Sequence, residues 1–78
     1  MNKNRFREIY KSALAEARQQ HPDQYAWPAD LLDTVVDKMI EGLTKGSAST
    51  NSPAIKKACK QLGIKSTISS IKQFLIED

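Results

Sequence analysis

The 78-residue chain has few of the residues that staple or activate a small protein. It contains one cysteine, Cys59, and one histidine, His21. A lone thiol cannot close an internal disulfide, and one cysteine with one histidine cannot assemble a zinc-finger ligand set. No apolar run approaches the roughly 20 residues needed to cross a bilayer. The N-terminal MNKNRFREIYK lacks the apolar core of a secretory signal. There is no glycine-rich phosphate loop, no second histidine for a proton relay or metal, and no carboxylate pair in an evident pocket. These absences predict a non-enzymatic cytoplasmic protein with a reduced thiol, no cofactor or metal, and no membrane association. A domain of this size buries only a modest fraction of its surface. Its stability must therefore come from helix packing, with formation of a homo-oligomer as a further source.

Acidic residues are missing from one long stretch. Between Ser52 and Ile76 there are five lysines (Lys56, Lys57, Lys60, Lys65 and Lys72) and no carboxylate; Glu77 and Asp78 follow at the end. Residues 1–20 carry five basic and two acidic side chains, and residues 21–51 carry two basic and five acidic ones. The net charge of +3 thus conceals an alternation of basic, acidic and basic thirds. A block of lysines without carboxylates attracts polyanions at long range, although solvated lysines also serve solubility.

What is present reads as helix. Phe6, Ile9, Tyr10, Ala13, Leu14 and Ala17 recur at three- and four-residue steps, and His21-Pro22 closes the run. After HPDQYAWP, Pro28 fits a first helical position and Asp30 a first turn. Leu31, Leu32, Val35, Val36, Met39, Ile40 and Leu43 then form an apolar face broad enough for a central helix that contacts neighbours on two sides. TKGSASTNS, residues 44–52, is the flexible-looking segment. Ser52 and Pro53 supply an N-cap and a first helical residue for a third helix, with Ile55, Ala58, Cys59 and Leu62 inward and Gly63 as its left-handed stop. Ser66 or Thr67 starts a fourth, with Ile68, Ile71, Phe74 and Leu75 inward. The expectation is an all-α single domain over residues 1–78. It is a bundle of four helices near 4–20, 28–43, 53–62 and 66–76: a helical hairpin (4–43), a loop (44–52) and a helix-turn-helix-like C-terminal corner (53–76).

The corner carries the sharper functional reading. A DNA-reading helix-turn-helix needs a small residue at the helix crossing, a glycine in the turn, and apolar residues that lock the second helix. Cys59, Gly63, Ile68 and Ile71 supply these. Thr67, Ser70, Lys72 and Gln73 would then face bases and phosphates, with Lys56, Lys57, Lys60 and Lys65 on the backbone. Two features point the other way, to a plain helical corner. Ile68 falls five residues after the glycine where the common motif has about six, and the C-terminal half has no arginine for guanine. Asp30, Asp33, Asp37 and Glu41 form an acidic stripe that is either a solvated face or a contact for a basic protein. A regular helix does not present the close-spaced ligands of a calcium loop. Tyr25 and Trp27 either pack back on the bundle or anchor a partner. His21 reads as a residue on the helix dipole, and Cys59 as a small buried one.

The order RFREIYKSALAEAR, then YAWP, then SPAIKKACKQLGIKSTISSIKQFL resembles a group of short uncharacterised proteins encoded by tailed bacteriophages and prophages. Those proteins pair a basic N-terminal helix with an A-W-P turn and a C-terminal C-K-x-L-G-I-K segment. The resemblance covers most of the chain and implies a phage accessory protein acting in a bacterial host cytoplasm. Its motifs are packing and capping residues, so it transfers no functional residue. Two functions follow: binding of DNA through the basic corner, or a protein-interaction module that inhibits a bacterial host protein through Tyr25, Trp27 and the acidic stripe.

Overall fold

The computed structural model describes residues 2–77. They form an all-α compact single domain of four helices with no strand among the described residues: α1 (Asn2–Gln20), α2 (Leu32–Lys45), α3 (Pro53–Leu62) and α4 (Ile68–Ile76). A 3-10 turn, Ala29–Leu31, leads into α2. No described helix is long and apolar enough to cross a membrane.

The hub is α1, not the helix with the broadest apolar face. It packs against α2, α3 and α4, whereas α2 meets α1 and α4. Phe6, Tyr10, Ala13, Leu14 and Ala17 are all buried on α1. Ala13 and Ala17 border one cleft with Pro53 and Ala54, so the C-terminal half of α1 lies against the start of α3. Small side chains on both helices allow the axes to approach closely, because interaxial distance is set by the side chains at the contact. On α2 only Val36, Ile40 and Leu43 are fully buried; Leu32, Val35 and Met39 are half-buried, and Leu31 remains 41% exposed. The broad face of α2 does meet neighbours on two sides, α1 and α4, but α1 has three helical neighbours.

The helix ends depart from the sequence reading in several places. Pro28 does not open α2. It stands in extended backbone (φ −61°, ψ 148°) before the 3-10 turn, and α2 starts four residues later than expected. Its end extends to Lys45. There Thr44 Oγ1 donates to the Ile40 carbonyl at 2.8 Å, and Lys45 pairs with Glu41 one turn back at 2.8 Å. Gly46, with φ 76°, then stops the helix. The Gly46 amide donates to the Leu43 carbonyl (3.1 Å), and the Ser47 amide donates to that of Gly42 (2.9 Å). This is a Schellman closure, which needs a left-handed residue that glycine supplies without strain. Gly63 (φ 72°) ends α3 in the same way, with Ile64 N–H donating to the Cys59 carbonyl at 3.0 Å.

The segment after α2 is folded back on that helix. The Ala48 amide also reaches the Gly42 carbonyl (3.3 Å), and a Cβ on Gly42 would lie only 3.1 Å from the Ala48 Cβ. The bare Gly42 backbone makes room for Ala48. At the start of α3, Ser52 occupies the N-cap position, but its side chain makes no capping bond. Helix α4 begins at Ile68, two residues later than expected, and Thr67 is its N-cap: the Ser70 amide donates to Thr67 Oγ1 at 3.3 Å.

Tyr10 gives the core a predictable pH limit. Its residue is 1% exposed, and burial, with a smaller contribution from Tyr25, pushes its hydroxyl pKa up to about 12. In an unfolded chain a tyrosine ionises near 10. The folded state therefore holds this proton more tightly. The associated stability is complete below pH 10 and disappears as pH rises towards 12. Urea unfolding from pH 9 to 12 should show a loss of about 2 kcal/mol that the Tyr10→Phe variant lacks. Parallel curves for the two proteins would contradict this assignment.

Candidate nucleic-acid interface

Two members of the acidic stripe, Asp33 and Asp37, are paired with α1. Arg7 Nε lies 2.8 Å from Asp37 Oδ1 and Arg7 Nη2 3.3 Å from Asp33 Oδ1, while Lys11 Nζ is 2.7 Å from the same Asp33 oxygen. The antiparallel course of α1 and α2 brings the basic steps of one helix onto the acidic steps of the other. The hydrogen bond from Lys11, assisted by Arg7, holds the Asp33 carboxyl below its ordinary range. Lys45 does the same for Glu41. In return, the Asp37 hydrogen bond and charge raise the Arg7 pKa above its ordinary value. Of the stripe, only Asp30 has no ion-pair partner among the described residues.

Tyr25 and Trp27 are half-buried against the core. The Arg18 guanidinium sits 5.2 Å from the Trp27 ring centroid. Its Nε and Nη2 donate to the Trp27 carbonyl at 3.2 and 2.9 Å. One arginine thus fixes both ring and backbone of the α1–α2 connection, combining cation–π attraction with a charge-assisted hydrogen bond.

The basic block divides into engaged and free lysines. Lys57 forms an ion pair with Glu16 on α1. Lys72 lies along the end of α2, where a Cβ on Gly46 would be 4.0 Å from its Nζ; a cation there suits the negative end of that helix. Lys56, Lys60 and Lys65 are exposed and have no carboxylate within ion-pair distance among the described residues. Lys56 and Lys60 stand one turn apart on the outer side of α3, and Lys65 follows in the turn.

The polar residues of α4 are also unequal. The Thr67 hydroxyl donates to Ser70 Oγ at 2.9 Å while accepting the Ser70 amide, so both serve the helix start. Gln73 Nε2 donates to Glu77 Oε1 at 3.0 Å. Lys65, Ser70 and Gln73 nonetheless meet around one shallow hollow, whose other walls are Ile64, Phe74 and Glu77. Phe74 had only an inward packing role in the sequence reading, and it is half-buried. The periodicity of α4 could not show that Phe74 borders a surface hollow. Helices α3 and α4 share little direct packing, because each is anchored on α1 and α4 also on α2.

No group of three or more His, Cys, Asp or Glu able to hold a metal ion occurs among the described residues. Cys59 is 1% exposed on the inner side of α3, and burial raises its thiol pKa. A protonated, covered thiol is a poor nucleophile. Cys59 should therefore resist a disulfide reagent in native buffer and react readily once the chain is unfolded in urea. Rapid native labelling would contradict the packing of α3. In comparisons with known proteins, no family model, curated protein or solved structure matches the chain.

Proposed function

We propose that this chain is a small, non-enzymatic nucleic-acid-binding accessory protein of the phage type, with Lys56, Lys60 and Lys65 as its phosphate contacts. One observation carries this reading. The carboxylates of the middle third are largely neutralised by α1 and by Lys45, while Lys56, Lys60 and Lys65 of the C-terminal third have no carboxylate within ion-pair distance among the described residues. Among the described residues the carboxylates without an ion pair are Asp23, Asp30 and Glu77. The cations without one include Lys3, Arg5, Lys38, Lys56, Lys60, Lys65 and Lys72. The charge left unpaired at the surface is thus predominantly positive. Such charge favours polyanions and raises their association rate. The protein-interaction alternative draws on Tyr25, Trp27, Asp30, Asp33, Asp37 and Glu41, of which all but Asp30 already have partners within the fold.

The direct test is fluorescence anisotropy of labelled DNA and RNA oligonucleotides over 20–300 mM salt. Three phosphate contacts give a slope of log K against log salt of about −2 to −3. Absence of binding at the lowest salt would end this reading.

A further inference from the structure

We infer that the hollow beside the α3–α4 turn receives one unstacked nucleotide of a single-stranded nucleic acid, with its base against Phe74 and its phosphate at Lys65. This rests on the nucleic-acid reading above and narrows it from polyanions in general to single strands.

The hollow measures about 370 Å³ and is shallow, with Ile64 and Phe74 supplying apolar walls and Lys65, Ser70, Gln73 and Glu77 the polar ones. That volume lies at the lower end of the roughly 300–1,000 Å³ typical of small-ligand clefts, the scale of a nucleotide. Phe74 is held at its ring by one contact and at its backbone by another. It meets Phe6 at 6.5 Å between centroids with planes inclined by 53°, and Asn2 Nδ2 donates to the Phe74 carbonyl at 3.1 Å. A half-buried aromatic ring fixed in this way loses little freedom when a base stacks on it. The tilt towards Phe6 also keeps its contact with the core from being a full face-to-face stack.

The same geometry argues against a duplex groove. Reading base edges in a major groove requires free donors and acceptors along the outer side of α4. The hydroxyls of Thr67 and Ser70 are instead turned onto each other and onto the helix start. Neither α3 nor α4 contains an arginine. In a duplex the base faces are covered by their neighbours, so a sunken aromatic has nothing to stack on. A single strand offers those faces, and pairing an aromatic platform with backbone-tracking lysines is the general solution for binding one. Lys65 borders the hollow, and Lys60 and Lys56 continue the positive charge along α3. Glu77, which also lines the hollow, repels phosphate and so favours the phosphate at Lys65.

The test uses the full chain and a mixed-sequence labelled oligonucleotide, as single strand and as duplex, at 50 mM salt. Single-strand affinity should exceed duplex affinity. Phe74→Leu, which keeps an apolar wall, should reduce it roughly 5- to 100-fold, with duplex affinity little changed. Because Phe74→Leu also touches Phe6, the wild-type chain is separately photo-crosslinked to a 5-iodouracil-substituted single strand. The adduct should map to residues 73–78, the tryptic peptide that contains Phe74. Preference for duplex, or adducts confined to other peptides, would overturn this inference and leave the proposed function standing. Failure to bind either form would overturn both.

Discussion

Replacing Phe6 with alanine will lower the melting temperature of the domain by at least about 12 °C. Phe6 is 0% exposed, and its ring lies 5.9 Å from that of Tyr10 and 6.5 Å from that of Phe74. It therefore connects the hub helix to α4. Truncating a buried phenylalanine removes its transfer free energy and leaves a cavity, together costing about 3–5 kcal/mol. A domain of this length has a total stability of roughly 4–12 kcal/mol, so the change removes a large part of the margin. In domains of this size each kcal/mol is worth about 4–8 °C. There is no disulfide to offset the loss, since Cys59 is the only cysteine. Circular dichroism melting of the two proteins is the measurement. A shift below about 4 °C would mean that α1 does not organise the core through Phe6.

Replacing Lys56, Lys60 and Lys65 together with glutamine will weaken nucleic-acid binding at least about tenfold at 50 mM salt and flatten the salt slope by about 2–3. The net charge falls from +3 to 0 while helicity is retained, because all three side chains are exposed. Each neutralised phosphate releases condensed counterion, so each lost contact removes part of the salt dependence. A complementary variant separates this reading from its alternative. Asp33→Asn with Asp37→Asn raises the net charge from +3 to +5 and frees Arg7 and Lys11 from their partners. Nucleic-acid affinity should then hold or increase, whereas a partner that docks on the acidic stripe would be lost. If the triple lysine variant binds as the parent does, phosphate contact lies elsewhere on the surface.

Much of the fold was legible because local chemistry and tertiary packing agree. On α1 every residue of the apolar stripe except Ile9 is fully buried. Gly63 stops α3 in the left-handed conformation expected of it, since only glycine takes that backbone without steric cost. Disagreement arose where a local rule met a longer-range partner. Pro28 suits a helix start, yet the Trp27 carbonyl just before it is held by Arg18, and the backbone there is extended. Thr44 and Lys45 looked like loop but were drawn into α2 by bonds one turn back. Ala48 looked mobile, and the absent side chain of Gly42 gave it a seat.

The candidate site divides the same way. Periodicity and composition by themselves determined four helices, their inward faces and a C-terminal third with lysines but no interior carboxylate. These properties depend on residues close in sequence. Which charges survive was decided only by the tertiary structure. Glu16 reaches Lys57 across 41 positions and Arg7 reaches Asp37 across 30, separations that no spacing rule encodes. The choice of α1 as the hub belongs there too. It depends on how small residues such as Ala13, Ala17 and Ala54 let helices approach, a property of surfaces in contact and not of any one stripe.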